Sequence, residues 1–407
     1  NWTDLDVWST EDYGGPPITN PPFYPQEVTH EAFIGNSNTV TLNEAYINVR
    51  SVNVQNAAAG PGALLAEDNF IDGLNFTLED SCYFGTKNRD GIRISANAGS
   101  ILTDNRNYGI AHYLYYSDAE DQRCGDGLIG EILSLYIDNH TYTTTLNAPI
   151  NIYHNITIDT SIFDAGNRNI DLHGNFIITD QAAFIPTTAQ VSFIGDLSQE
   201  MRLSDPRGID FYSLAINKPS STVTISGDAD DANAHVAHRL YFGDGNQAVI
   251  NSRKFNRKVI MEDGGEVLRI GGVPYGHVDG ILQKQASAAG DSIFFEIGFG
   301  FDYAPAYVAL DSSAGNGTAG SIDGANNSPI PNEPDNGPFY GNRMDTLSQL
   351  PRWWSLQPRN GFDMGSRVAD VGLGFPSPEL SLIDTSRSVI RRRDPDSTAD
   401  PLWTERV

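Results

Sequence analysis

Cysteine is nearly missing from this chain of 407 residues, with only Cys82 and Cys124 present. No Cys-x-x-Cys pair occurs, which argues against thiol redox chemistry and against a structural zinc of the usual spacing. Basic residues are scarce too: Lys and Arg total 26 against 52 Asp and Glu, a formal net charge of -26. Such a surface lacks the basic footprint that nucleic-acid binding needs, and it repels anionic membranes. No apolar run reaches transmembrane length. Helical periodicity is almost absent, with no convincing set of apolar residues at i, i+3, i+4 and i+7. There is no Gly-x-Ser-x-Gly elbow and no phosphate loop.

What is present is 39% hydrophobic residues, in short alternating runs. Examples are Thr39-Val40-Thr41-Leu42, Tyr46-Ile47-Asn48-Val49, Ile156-Thr157-Ile158, Ile170-Asp171-Leu172, Val191-Ser192-Phe193-Ile194 and Val223-Thr224-Ile225. Asn, Gly and Asp separate them, the signature of many short strands with polar corners. Asn at strand ends can stack into side-chain ladders when one coil lies above another, and Gly and Asn tolerate the left-handed backbone of sharp corners. The expected fold is therefore all-β: a β-solenoid followed by an antiparallel β-sandwich. The repeat is loose, without the strict nonapeptide of Ca²⁺-binding solenoids.

Composition divides the chain. Residues 1–30 hold Trp2, Trp8 and several Pro. They are expected to cap one coil end or to serve as an exchange arm, since exposed coil ends are strand edges that need covering. Residues 31–274 form the solenoid in this reading. Within it, 60–130 are less regular and contain both cysteines, and they suggest an insertion pinned by a Cys82–Cys124 disulfide. Such a bond would imply an oxidising compartment and contribute about 4 kcal/mol. The plainer alternative is two buried thiols. Residues 275–407 change texture again, with strands at Phe294-Phe295-Glu296-Ile297, Tyr307-Val308-Ala309-Leu310 and Val368 to Leu373, spaced as in an antiparallel sandwich.

Candidate sites are sparse. Asp228, Asp230 and Asp231, or Asp118, Glu120 and Asp121, supply oxygen-rich loops that suit a structural Ca²⁺, although a solvated turn explains each as well. His235 and His238 would splay on a strand and so make a poor metal pair. Arg391-Arg392-Arg393 stands out in so acidic a chain and suits either a strand edge or a contact with another subunit. Lys and Arg also gather at Arg253, Lys254, Arg257 and Lys258, fit for a subunit interface or an anionic glycan. Trp353 and Trp354 with Phe339 and Tyr340 could stack on sugars, but such residues more often fill a core. Asn-x-Thr sequons occur at Asn1, Asn75, Asn139, Asn155 and Asn316. The chain starts at Asn1 rather than Met, which fits a processed precursor or a fragment.

The order of several weak motifs resembles the large repetitive surface proteins of the Bacteroidota, including gliding-type adhesins exported by type IX secretion. Trp2 and Trp8 followed by Gly14-Gly15 and Pro25 look like their module opening. Val191-Ser192-Phe193-Ile194-Gly195, Phe211-Tyr212-Ser213-Leu214-Ala215-Ile216-Asn217-Lys218, and Val278-Asp279-Gly280-Ile281-Leu282-Gln283-Lys284 are similar to their coil segments. Phe295-Glu296-Ile297-Gly298 and Tyr303-Ala304-Pro305 resemble the start of their terminal sandwich, with Glu296 in place of the usual Pro. The resemblance implies an extracellular, non-enzymatic surface protein without a catalytic constellation or a required cofactor, in contact with glycans or with copies of itself. The sandwich is expected to stop short near Trp403, so that a neighbouring subunit completes it in a fibre. Trp2, Trp8, Arg391, Arg392, Arg393 and Trp403 are then the interface candidates. The rival expectations are a polysaccharide-cleaving β-helix enzyme and a monomeric glycan-binding adhesin.

Overall fold

A computed structural model describes residues 1–5, 8–9, 17, 24–95, 98–128, 130–179, 181–219, 221–227, 232–243, 248–269, 276–286, 292–310, 319–327, 353–362, 369–374, 390–393 and 403–406. The described elements are all β, and they wind into a β-solenoid of about 10 turns. One central coil shows how. Strand Ser134–Ile137 turns at Asp138 and Asn139 into Thr143–Thr145, which turns again into Ile150–Ile152. The chain then re-enters the first face at Ile156–Ile158. Each face becomes a parallel sheet, because equivalent strands of successive coils pair in register. Ile150 lies over Ile170, and Ile170 over Val191, so this part of the solenoid uses 20 to 21 residues per coil.

Alternation in sequence decides which side chains enter the core. In Ile150–Ile152, Ile156–Ile158 and Phe176–Ile178 the outer residues of each triplet are buried and the middle one is not. Register turns this into continuous apolar columns. Leu135, Ile156, Phe176 and Met201 stack along one face, and Thr144, Phe163 and Phe184 along another. The aromatic members meet edge to face, with Phe176 and Phe184 5.3 Å apart and Phe176 and Phe211 5.8 Å apart between ring centroids. That arrangement is favoured by ring quadrupoles and holds the faces together across the core.

One 13-stranded sheet runs the length of the solenoid. A second face begins as a four-stranded sheet (Glu31–Ile34, Tyr46–Val54, Phe70–Leu78, Asn105–Tyr108). It gives way to an 11-stranded sheet starting at Gly130–Ile132. Residues 60–130 are therefore not an insertion. Ala63–Leu65, Tyr83–Thr86 and His112–Tyr115 are consecutive strands of the longest sheet. Their coils are longer and uneven, which hid their periodicity in the sequence.

Nor is there a disulfide: Cys82 and Cys124 are both free and buried. Cys82 precedes strand Tyr83–Thr86 of the 13-stranded sheet, while Cys124 follows Gln122–Arg123 of the four-stranded sheet on the third face. They lead into different faces of the solenoid. Burial pushes both thiols up from their ordinary pKa, so each is an inert apolar side chain.

At its other end the parallel stack becomes antiparallel. Ile281–Ala286 pairs with Gly320–Asn327, which pairs with Trp353–Arg359. Separate antiparallel sheets form from Ser292–Phe295, Ala306–Leu310 and Ala369–Leu373, and from Ile390–Arg393 with Trp403–Arg406.

Candidate functional site

Two grooves on the described surface are lined mainly by polar side chains. The first lies on the four-stranded sheet of the early coils and measures about 330 Å³. Strand alternation points Ala32, Val52 and Phe76 inward, and so turns the intervening residues outward. Two outward files result. Asn75 and Asn105 align in one, continuing the almost wholly buried Ser51, and Asn53, Thr77 and Asn107 in the other. Neighbours in a file are separated by one strand spacing, about 4.8 Å. Asn105 Nδ2 donates to Asn75 Oδ1 at 3.0 Å, so the first file is itself a ladder. The second file is headed by Phe33, paired with Asn53 and 47% exposed. Gly73, with φ of 138°, lets the middle strand kink beside the groove; a Cβ there would lie 1.6 Å from the Val49 carbonyl oxygen.

The second groove sits where the solenoid turns antiparallel and measures about 170 Å³. Arg253, Arg257 and Arg359 line it, with Asn256, Ser355, Gln357 and Asp323. Arg253 Nε donates to Asp279 Oδ1 at 2.7 Å. Lys258 Nζ and Arg359 Nε both reach Asp323 Oδ2, at 2.9 and 2.8 Å. Arg257 is almost wholly buried and donates to the Gly227 carbonyl at 2.8 Å. Gly280, with φ of 137°, forms part of the wall, where a Cβ would collide with Ser252 Oγ.

A buried amine lies between these regions of the chain. Lys218 is fully buried and donates to the Gly195 carbonyl at 3.0 Å and to Gln199 Oε1. Burial lowers its pKa to about 8, against the opposing pull of Asp196. Saturated by carbonyl acceptors and out of solvent, it serves the turn that holds it.

The interface candidates fall out differently. Trp2 is fully buried and Trp8 nearly so, within the chain's own core. The Trp2 backbone N–H donates to the Thr41 carbonyl at 2.8 Å, and its indole N–H to the Pro25 carbonyl at 2.7 Å. The two rings meet edge to face at 5.1 Å. These tryptophans therefore line this chain's own first coil and are not exposed for a neighbour. Arg391, Arg392 and Arg393 lie on a strand opposite Glu405, Thr404 and Trp403.

Asp228, Asp230 and Asp231 lie outside the described residues, as do Phe339, Tyr340 and Asn316. Asp118, Glu120 and Asp121 are exposed, and Asp121 accepts the Thr143 N–H at 2.8 Å, a corner contact. Among the described residues no three His, Cys, Asp or Glu side chains converge as a metal site would require. His235 bonds Glu262 at 2.7 Å and His238 packs on Tyr212, so the two are separately engaged. Trp354 donates to the Ala304 carbonyl at 3.0 Å and packs against the core. Of the sequons, Asn139 is fully buried and Asn155 is engaged at a corner, while Asn75 lines the first groove.

The basic cluster at 253–258 was visible in the sequence, but its completion by Arg359 was not, because the pairing that adds Trp353–Arg359 spans a long connection. The first groove gave no sequence signal beyond polar residues at alternate positions. No protein-family model, curated protein or solved structure matches this chain.

Proposed function

We propose that this chain is an extracellular structural and adhesive surface protein, a rigid β-solenoid that holds glycans without cleaving them. The observation that supports this best is the double file on the early coils. Asn75 and Asn105 beside Asn53, Thr77 and Asn107 present amides and a hydroxyl at a fixed repeat, with the buried Ser51 at the end of the first file. An amide side chain both donates and accepts, as a sugar hydroxyl does, so neighbouring hydroxyls of an extended polysaccharide find a partner at each coil. The parallel ladders fix these groups before binding, which lowers the ordering cost. Phe33 adds an apolar ring at the end of one file, suited to a sugar face. The antiparallel strands after Ile281 complete the design as a terminal sandwich.

The test is affinity electrophoresis in gels containing hydroxyethylcellulose or mannan, with reducing-end release followed in parallel. Retardation without new reducing ends is the expected result. Release of oligosaccharides would overturn the non-enzymatic reading.

A second reading, assembly into a fibre, is supported by a different observation. Glu31–Ile34 is the outer strand of its sheet, and Trp353–Arg359 ends the path of another. Strand addition between such edges on successive copies would give an open filament. Electron microscopy at micromolar concentration tests it, and discrete single rods would contradict it.

A further inference from the structure

We infer that the early-coil groove takes a neutral, β-1,4-linked glycan, laid along the solenoid axis and held over four consecutive sugars. This rests on the glycan reading and adds the linkage, the direction and the length of the ligand. Register places Phe33, Asn53, Thr77 and Asn107 in one outward file, one residue per coil. The file ends where its sheet ends, because Glu31–Ile34 and Asn105–Tyr108 are the outer strands of that four-stranded sheet. The face then passes to Gly130–Ile132, which begins a different sheet. Four positions at the strand spacing span about 14 Å.

The polar members of this file are open to a ligand. Asn53, Thr77 and Asn107 line the groove, and their side chains make no hydrogen bond among the described residues. Asn75 and Asn105, in the neighbouring file, are bonded to each other and serve more as a wall. The two files stand two residues apart on each strand, about 7 Å, close to the breadth of a pyranose ring.

A straight row with one position per coil selects the linkage. Equatorial β-1,4 links give a flat, extended ribbon that advances by close to one strand spacing per sugar. An α-1,4-linked chain curves and a β-1,3-linked chain winds, so each leaves the row within a few sugars. Successive sugars of the β-1,4 ribbon turn opposite edges toward the file. Amides and a hydroxyl, which both donate and accept, can meet either edge. Phe33, half exposed at the head of the file, offers its ring to the face of the fourth sugar. The ligand is neutral on grounds of charge: the chain carries -26, and Glu31 heads the neighbouring file, opposite Ser51.

Competition tests the assignment. Soluble cello-oligosaccharides of two to six sugars are added to gels in which hydroxyethylcellulose retards the protein. Potency should rise about fivefold per sugar, the effect of one net hydrogen bond, up to four sugars and then level off. Maltotetraose, with α-1,4 links, should compete no better than cellobiose. The β-1,4-linked tetramer of mannuronate, extended but charged, should compete less well than cellotetraose. Phe33→Ala should move the plateau from four sugars to three with the thermal midpoint unchanged. A plateau at any other length, or one that Phe33→Ala does not move, would overturn the four-sugar site. Maltotetraose matching cellotetraose would overturn the linkage, and mannuronate matching it would overturn the neutral class. Retardation that no oligosaccharide relieves would overturn this inference and leave the glycan reading standing. No retardation at all would sink both.

Discussion

Asn155 Oδ1 accepts the backbone N–H of Asn175, one coil further along, at 2.9 Å. Asn175 Oδ1 in turn accepts the N–H of Glu200 at 2.8 Å. This corner ladder does for the turns what the parallel sheets do for the strands. It satisfies backbone donors where the chain leaves one face and enters the next. Asn169 with Gln190 and Asn233 with Lys258 repeat the device at other corners. Asn175→Ala should therefore destabilise the protein by about 1 kcal/mol, the usual net value of such a bond. Urea unfolding measures it, and an unchanged midpoint would show the ladder to be decorative.

Lys218 makes stability depend on pH at the alkaline side. Burial lowers its pKa to about 8 in the folded chain, from 10.5 in the open one. Between these values the unfolded chain binds more protons, so folding is favoured as pH rises. Below about pH 8 both states are protonated and the cost of the buried ammonium is fully present. Lys218→Met removes that titration. The stability difference should move toward wild type by on the order of 1–3 kcal/mol as pH rises from 8 to 10.5. A difference constant with pH would mean that Lys218 keeps its ordinary proton affinity.

The two cysteines should behave as core residues. Thiol titration of the native protein should find almost no reactive sulfhydryl, and titration in denaturant should find both. Reducing agent should leave the thermal midpoint where it is. A midpoint that falls on reduction would indicate a bond that the structure does not contain.

Phe176 joins Phe184 and Phe211 across the solenoid interior. Phe176→Ala should cost about 3–5 kcal/mol, as a large cavity in a core that cannot collapse around it. Leu114 is only half-buried on its strand, and Leu114→Ala should cost clearly less. Paired denaturation curves decide it; similar losses would contradict the inward and outward assignment.

The all-β class and the stacked coils were legible because Ile156–Ile158, Ile170–Leu172 and their neighbours alternate cleanly between polar corners. Asn at strand ends announced the ladders for the same reason. The coils of 60–130 were not legible, since unequal coil lengths remove the period that pattern reading relies on. The disulfide expectation failed because sequence separation says nothing about which face a cysteine leads into. The first groove was hidden for a different reason. Its six polar residues become neighbours only through register, and alternate polar positions on a strand look the same whether they bind a ligand or water. Trp2 and Trp8 showed the converse: composition marked them as special, yet only packing could reveal that this chain's own first coil uses them.

Glycan binding along the early coils is tested most directly by gel retardation. Retardation by hydroxyethylcellulose or mannan, measured for wild type and for an Asn53→Ala/Asn107→Ala variant, reads the double file directly. Wild type should bind, and the variant should bind about tenfold more weakly, from two lost hydrogen bonds, with unchanged thermal stability. Absence of binding to either polysaccharide, or equal retardation of the two proteins, would contradict it.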